Sequence, residues 1–138
     1  MRLFRVLVPV KDIDAATSFY GRLLKSKGKR VSPGRHYFDC EGTILACFDP
    51  RADGEQHDAA PNPECLYLSA DDLSAVYAFL KAEGVDFSTD APPGVGPMGE
   101  IAKRPWGETS FYFSDPFGNS LCIVATETVF RGSSTQDV

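Results

Sequence analysis

The chain repeats itself. Val6-Leu-Val-Pro-Val-Lys-Asp-Ile-Asp-Ala-Ala returns sixty positions later as Leu66-Tyr-Leu-Ser-Ala-Asp-Asp-Leu-Ser-Ala-Val. Asp12 matches Asp72, Ile13 matches Leu73 and Ala15 matches Ala75. A repeat of this length means two copies of one supersecondary unit, neither of which buries its apolar face alone. Each copy reads as a strand running into a helix. Asp12 and Asp72 stand where an N-cap belongs, one residue before the helical pattern begins.

Spacings of three and four put Ile13, Ala16, Phe19, Tyr20, Leu23 and Leu24 on one face of the first helix. Leu73, Val76, Tyr77 and Leu80 do the same in the second. Glycines at Gly28 and Gly84 mark the expected helix ends. Three short strands should follow each helix. In the first half they are Lys29–Val31, His36–Cys40 and Thr43–Phe48. In the second they are Asp86–Thr89, Gly99–Arg104 with Thr109–Phe113, and Ser120–Ala125. Ser32-Pro-Gly and Asp115-Pro-Phe-Gly-Asn are turn signals. The expected organisation is one domain over 1–126, with modules at about 1–50 and 64–126, a linker at about 51–63 and a tail at 127–138. The tail is expected to be poorly ordered toward Val138. The linker acids Asp49, Asp53, Glu55 and Asp58 are expected to be a solvated surface.

Alternation assigns side chains to faces, because neighbours on a strand point to opposite sides. Val6, Val8 and Val10 are uniformly aliphatic and should lie under the helix. Arg5, Leu7 and Pro9 should face the other way. Cys65, Tyr67 and Ser69 are their counterparts in the second copy. On the last strand of each copy, Ile44, Ala46 and Phe48, and Ser120, Cys122 and Val124, should share that second face.

Composition narrows the function classes. With 14 Lys and Arg against 19 Asp and Glu, the net charge is −5. No basic stripe is present to neutralise phosphates, so nucleic acid is not an expected partner. No segment approaches the apolar length of a membrane helix, about 20 residues. The apolar start, Met1–Val10, is too short for a secretory signal and runs at once into Lys11 and Asp12. A cytoplasmic setting is therefore expected, with the four cysteines reduced.

Three stretches carry a family likeness: Val8-Pro-Val-Lys-Asp-Ile-Asp-Ala-Ala-Thr-Ser-Phe-Tyr, Ala70-Asp-Asp-Leu-Ser-Ala, and Pro105-Trp-Gly-Glu-Thr-Ser-Phe-Tyr-Phe-Ser-Asp-Pro-Phe-Gly-Asn-Ser-Leu. In these the chain resembles the vicinal oxygen chelate superfamily, the glyoxalase/bleomycin-resistance protein/dioxygenase group, over residues 3 to 126. The resemblance implies an α+β fold of two βαβββ modules paired into a curved mixed sheet around a cavity. It also implies a homodimer. In metal-using members each module offers a His early in its first strand and a Glu in its fourth. Counted from Asp12, Asp72, Gly42 and Gly118-Asn119, those positions here hold Arg5, Cys65, Ala46 and Cys122. A guanidinium keeps its proton and cannot ligate a cation, and a methyl offers no donor. Two thiols fall short of the three or four protein ligands that zinc sites use. No metal and no cofactor are expected.

The leading expectation is a metal-independent small-molecule binding protein acting in sequestration, resistance or transport. Arg5 would hold an anionic group unless an internal carboxylate such as Glu64 or Glu108 claims it. Leu7, Ala46, Phe48, Cys65 and Cys122 would line the same face. Tyr67, Trp106, Phe111 and Phe113 would complete an aromatic wall. Phe117 is expected to be exposed at its mouth. The alternatives are a lyase, isomerase or dioxygenase with atypical metal ligands, a metal-free acid–base catalyst, and a partner-binding domain with a vestigial pocket.

Overall fold

The computed structural model describes residues 1–132; the expectation of weak order toward Val138 falls on 133–138, outside the described residues. The order is β1 (Arg5–Pro9), α1 (Ile13–Leu24), β2 (Lys29–Ser32), β3 (Arg35–Cys40), β4 (Thr43–Phe48), β5 (Leu66–Ala70), α2 (Leu73–Glu83), β6 (Asp86–Phe87), β7 (Ala102–Lys103), β8 (Thr109–Ser114) and β9 (Ser120–Ala125). A single 3₁₀ turn at Thr126–Thr128 follows. The fold is α+β, with two sheets of order β1-β4-β3-β2 and β5-β9-β8-β6, β7 pairing with β8. In each sheet the first strand lies parallel to the last. No helix among the described residues is long and apolar enough to cross a membrane.

The chain forms two compact units. One is Met1–Glu64 with Asp115–Ser120, and the other is Cys65–Ser114 with the chain from Leu121 onward. The repeat is visible in the caps. Asp12 Oδ1 accepts from the Ala15 N–H at 3.0 Å, and Asp72 Oδ1 accepts from the Ala75 N–H at 3.0 Å. Such a bond satisfies one of the helix's orphan donors. Gly84 closes α2 in the left-handed conformation, as expected. The end of α1 differs: Lys25, not Gly28, takes the left-handed cap, at φ 53°. Gly28 serves packing instead, since a Cβ there would meet the Tyr37 carbonyl oxygen at 2.6 Å.

In the first unit α1 lies against β3 and β4. Its Ile13, Ala16, Phe19 and Tyr20 are buried with Val8, Val10, Phe38, Leu45 and Cys47. Each valine, leucine, isoleucine or phenylalanine among them contributes about 1.5–3 kcal/mol by leaving water. In the second unit Leu73 and Leu80 are buried, with Leu121 and Ile123 from β9.

The Asp115-Pro-Phe-Gly-Asn turn lies in the first unit, although β8 and most of β9, which it joins, lie in the second. Asp115 Oδ1 accepts from the Phe117 and Asn119 N–H groups, at 2.9 and 2.8 Å. Its Oδ2 accepts from the Tyr20 hydroxyl at 2.5 Å and from Asn119 Nδ2 at 2.9 Å. Asn119 Nδ2 also donates to the Pro9 carbonyl at 2.7 Å, and its Oδ1 accepts from the Asn62 N–H at 2.8 Å. The turn thus fastens β1, α1 and the segment before β5. Phe117 in it is half-buried rather than exposed.

The linker acids divide. Asp49 is buried and accepts from the Ala52 N–H at 3.3 Å. Asp53 accepts from the Gly34 N–H at 2.6 Å and the Ser32 hydroxyl at 2.9 Å. Asp53 ties the chain back onto the β2–β3 turn through its side chain and Asp49 through its N–H to the Gly34 carbonyl at 2.7 Å, so neither is a solvated surface. Glu55 and Asp58 are exposed, as expected.

Candidate functional site

Register fixes which side chains share a face. Across the first sheet, Arg5 lies opposite Ile44, Leu7 opposite Ala46 and Pro9 opposite Phe48. Continuing onto β3, Ile44 lies opposite Asp39, Ala46 opposite Tyr37 and Phe48 opposite Arg35. Paired residues point the same way, so these side chains form one face. The other parity holds Val8, Leu45, Cys47, His36 and Phe38, all buried. Cys47 faces Tyr20 of α1, so that side is the helix side. The alternation read from the sequence therefore orients β1 and β4 correctly.

The helix-free face of the first unit is aromatic and cationic. The Arg5 guanidinium carbon stands 4.9 Å from the Tyr37 ring centroid and 5.2 Å from that of Phe4. Arg35 stands 4.4 Å over the Phe48 ring and donates to the Tyr37 hydroxyl at 3.1 Å. Asp53 Oδ2 is 3.8 Å from Arg35 Nε. Among the described residues Arg5 has no ion pair, so no internal carboxylate claims it. Leu7 is exposed, Phe48 half-buried and Ala46 buried. Tyr37 and Arg35 were not foreseen. Antiparallel register through the Glu41-Gly42 turn would have placed them beside Ala46 and Phe48.

In the second unit Tyr67 lies opposite Cys122, the same register as Leu7 and Ala46 in the first. Cys65 packs against a buried cluster of Tyr112, Cys122 and Val124. The rings of Tyr67 and Tyr112 meet edge to face at 6.3 Å. Tyr67 is 55% exposed and Cys122 is fully buried. Burial pushes the Cys122 thiol up to about 11, against partial relief from Ser110 and Tyr112. Such a thiol is a poor nucleophile near neutrality.

The expected aromatic wall is not assembled. Phe111 and Phe113 occupy the parity opposite Tyr112 and lie on the helix side. Phe111 sits 5.0 Å from the Tyr77 ring of α2 and 6.0 Å from Phe113, and both phenylalanines are buried. The run Phe111-Tyr-Phe113 is aromatic on both faces, so alternation could not orient it. Tyr112 takes the place the two phenylalanines were given. Trp106 is off the strands, in the turn before β8, 52% exposed and donating to Glu108 Oε1 at 3.1 Å.

Arg104 is the largest fully buried side chain of the described residues. Its guanidinium donates to the carbonyls of Val95, Pro97, Met98, Glu100 and Ser110 and to the Ser110 hydroxyl, at 2.8–3.4 Å. It also lies 5.3 Å over the Tyr112 ring, so it fixes the segment 95–100 beside the second unit's helix-free face. A lone arginine at a strand end carries no sequence sign of this role.

A shallow hollow elsewhere, at the end of α1, is lined by Ser18, Arg22, Lys25 and Lys27. These cations complement the negative end of the helix dipole. The hollow's lining shares no residue with the helix-free face of either unit.

A sequence model of the Glyoxalase/Bleomycin resistance protein/Dioxygenase superfamily matches residues 2–123. The chain belongs to that superfamily. A glyoxalase-related enzyme from Fulvimarina pelagi superposes with a TM-score of 0.67 at 18% identity, over 96% of this chain and 94% of that one. Lactoylglutathione lyase from Agrobacterium tumefaciens gives 0.64 at 19%, over 91% and 94%. The oxidase ChaP-H1 gives 0.66 at 24%, over 91% and 95%. At these identities the likeness is one of fold. No curated protein matches the chain.

The superfamily's metal does not fit the residues present. Arg5, Ala46, Cys65 and Cys122 supply no imidazole and no carboxylate. Among the described residues, no three His, Cys, Asp or Glu side chains gather as a metal set requires. His36 cannot supplement them, because it lies on the helix side with Nε2 2.8 Å from the Lys27 carbonyl. His57 is exposed in the stretch of chain between β4 and β5.

The buried thiols give a pH prediction. Burial, with Asp115 nearby, raises Cys47 from 9.0 to about 12, and burial raises Cys122 to about 11. A raised thiol binds its proton more tightly folded than unfolded, so its contribution is complete below 9. It is lost as pH climbs from 9 through 11 and 12. The melting temperature should therefore hold from pH 7 to 8.5 and fall steadily above 9, less steeply in Cys122→Ser. A flat profile to pH 11 would show that the thiols are not desolvated.

Proposed function

We propose that this chain is a metal-independent small-molecule binding protein of its superfamily, acting by sequestration or as a carrier. One observation carries the reading. Where metal-using members present two imidazoles and two carboxylates, this chain carries a guanidinium and a methyl at Arg5 and Ala46 of the first unit, and two thiols, Cys65 packed against Cys122, in the second. A cation meets repulsion at Arg5 and no donor at Ala46. On the first unit's face the same groups suit an organic molecule, with exposed apolar surface at Leu7 and a fixed positive charge at Arg5. A homodimer is part of the proposal.

Some structural relatives are named as a lyase and an oxidase, so an enzyme with atypical ligands is the rival. The two readings separate on purified protein. Divalent Zn²⁺, Ni²⁺, Mn²⁺ and Fe²⁺ should leave the melting temperature unchanged, and extensive dialysis should leave no stoichiometric metal. Some small organic molecule should raise the melting temperature by mass action. Stoichiometric retained metal, or stabilisation by a metal and by no organic compound, would reverse the assignment.

A further inference from the structure

The chemistry of the first unit's helix-free face narrows the ligand, on the reading that this face binds a small molecule. We infer that it takes a planar organic anion, an aromatic carboxylate being the simplest case. Tyr37 is flanked by two guanidiniums, Arg5 over its ring at 4.9 Å and Arg35 bonded to its hydroxyl at 3.1 Å. Phe48 lies beside it under Arg35 at 4.4 Å. Two positive charges and two aromatic rings thus share one patch of an otherwise acidic protein. Of the nearby carboxylates Asp53 pairs with Arg35, and among the described residues none pairs with Arg5, which keeps its charge for a ligand. Asp53 bonds Gly34 and Ser32 and stands 3.8 Å from Arg35. Asp39, on the same face, accepts from the Gly42 N–H at 2.8 Å.

Ala46 makes the arrangement possible. β4 lies between β1 and β3, so Arg5 must reach across a whole strand to meet Tyr37. Neighbouring strands are about 4.8 Å apart, so the crossing is roughly twice that. On this face the β4 residue level with Tyr37 is Ala46. Its methyl leaves the path open. A glutamate there would stand against Arg5 and neutralise it. The two replaced positions of this module are therefore one change: losing the carboxylate lets the arginine cross and keeps its charge for a ligand. A guanidinium pairs bidentately with a carboxylate, and its flat faces stack on rings, which selects a planar anion over a compact one.

Titration calorimetry with three naphthalene compounds of equal ring area tests this. 1-Naphthoate should bind saturably. 1-Naphthalenemethanol should bind at least about ten-fold more weakly, and 1-naphthylmethylammonium more weakly still. Inorganic phosphate should not compete at equal concentration. Arg5→Met and Ala46→Glu should each lower naphthoate affinity about ten-fold or more and leave the alcohol unchanged. Both positions are read alongside thermal melts, and Arg5→Lys gives a second variant that keeps charge but loses the bidentate fork. Equal affinity for acid and alcohol, or indifference to Arg5→Met, overturns the anion inference while leaving metal-free binding standing. Absence of binding by all three compounds overturns the inference as well. Stoichiometric metal retained through dialysis removes both.

Discussion

Asp115→Ala is expected to cost about 3–5 kcal/mol of folding free energy, a large share of the margin of about 5–15 kcal/mol that holds a domain together. The carboxylate is buried and accepts four hydrogen bonds, from Tyr20, Asn119 Nδ2 and two backbone N–H groups. Removing it leaves these donors without an acceptor in a dry site, at about 1–3 kcal/mol for each that finds no replacement. Asp115→Asn keeps the shape but turns an NH₂ group toward donors, and should recover only part of the loss. Tyr20→Phe removes one partner and should cost about 1–2 kcal/mol. Urea denaturation measures all three, and a double-mutant cycle of Tyr20→Phe with Asp115→Asn should show coupling. A loss below about 1 kcal/mol for Asp115→Ala would mean that the turn is not what fastens β1 and α1.

Arg104→Met should be comparably severe, at about 3–5 kcal/mol, and should loosen one place in particular. The arginine gathers the carbonyls of Val95, Pro97, Met98, Glu100 and Ser110 around a single planar cation. A methionine fills the volume but gives these carbonyls no donor, leaving Met98 only the Tyr112 N–H and Pro97 only a long bond from the Glu100 N–H. Arg104→Lys does not rescue it, because an ammonium has three donors and no fork. Hydrogen exchange should rise at Val95, Met98 and Tyr112, the last because its N–H donates to the Met98 carbonyl at 2.7 Å. Exchange in β1 and β4 should stay as in the parent. Uniform loosening of both sheets would show instead that the substitution simply unfolds the chain.

The sequence made some of this legible and hid the rest for physical reasons. The repeat around Asp12 and Asp72 exposed the two units, because caps and apolar spacings are local signals. The Asp115-Pro-Phe-Gly-Asn run announced a fixed turn. Its anchoring to Tyr20, ninety-five positions away in sequence, was invisible. Alternation oriented β1 and β5, where one parity is uniformly aliphatic and the other mixed, and parallel pairing carries the same assignment to β4 and β9. It failed on Phe111-Tyr-Phe113, where both parities are aromatic and only packing on Tyr77 decides. Gly28 drew attention as a helix end, but Lys25 accepts the left-handed conformation and Gly28 is needed where backbones approach. The cationic pair on Tyr37 became visible only when strand register set Arg35 and Tyr37 beside Phe48 and Ala46.

Amide chemical shifts of the ¹⁵N-labelled chain, followed during separate titrations with Zn²⁺ and with 1-naphthoate, test the central claim most directly. The account predicts saturable shifts with naphthoate centred on Arg5, Tyr37, Ala46 and Phe48, and none with Zn²⁺ at residues 5, 46, 65 or 122. Saturable Zn²⁺ shifts at those four positions, with naphthoate silent, would contradict it.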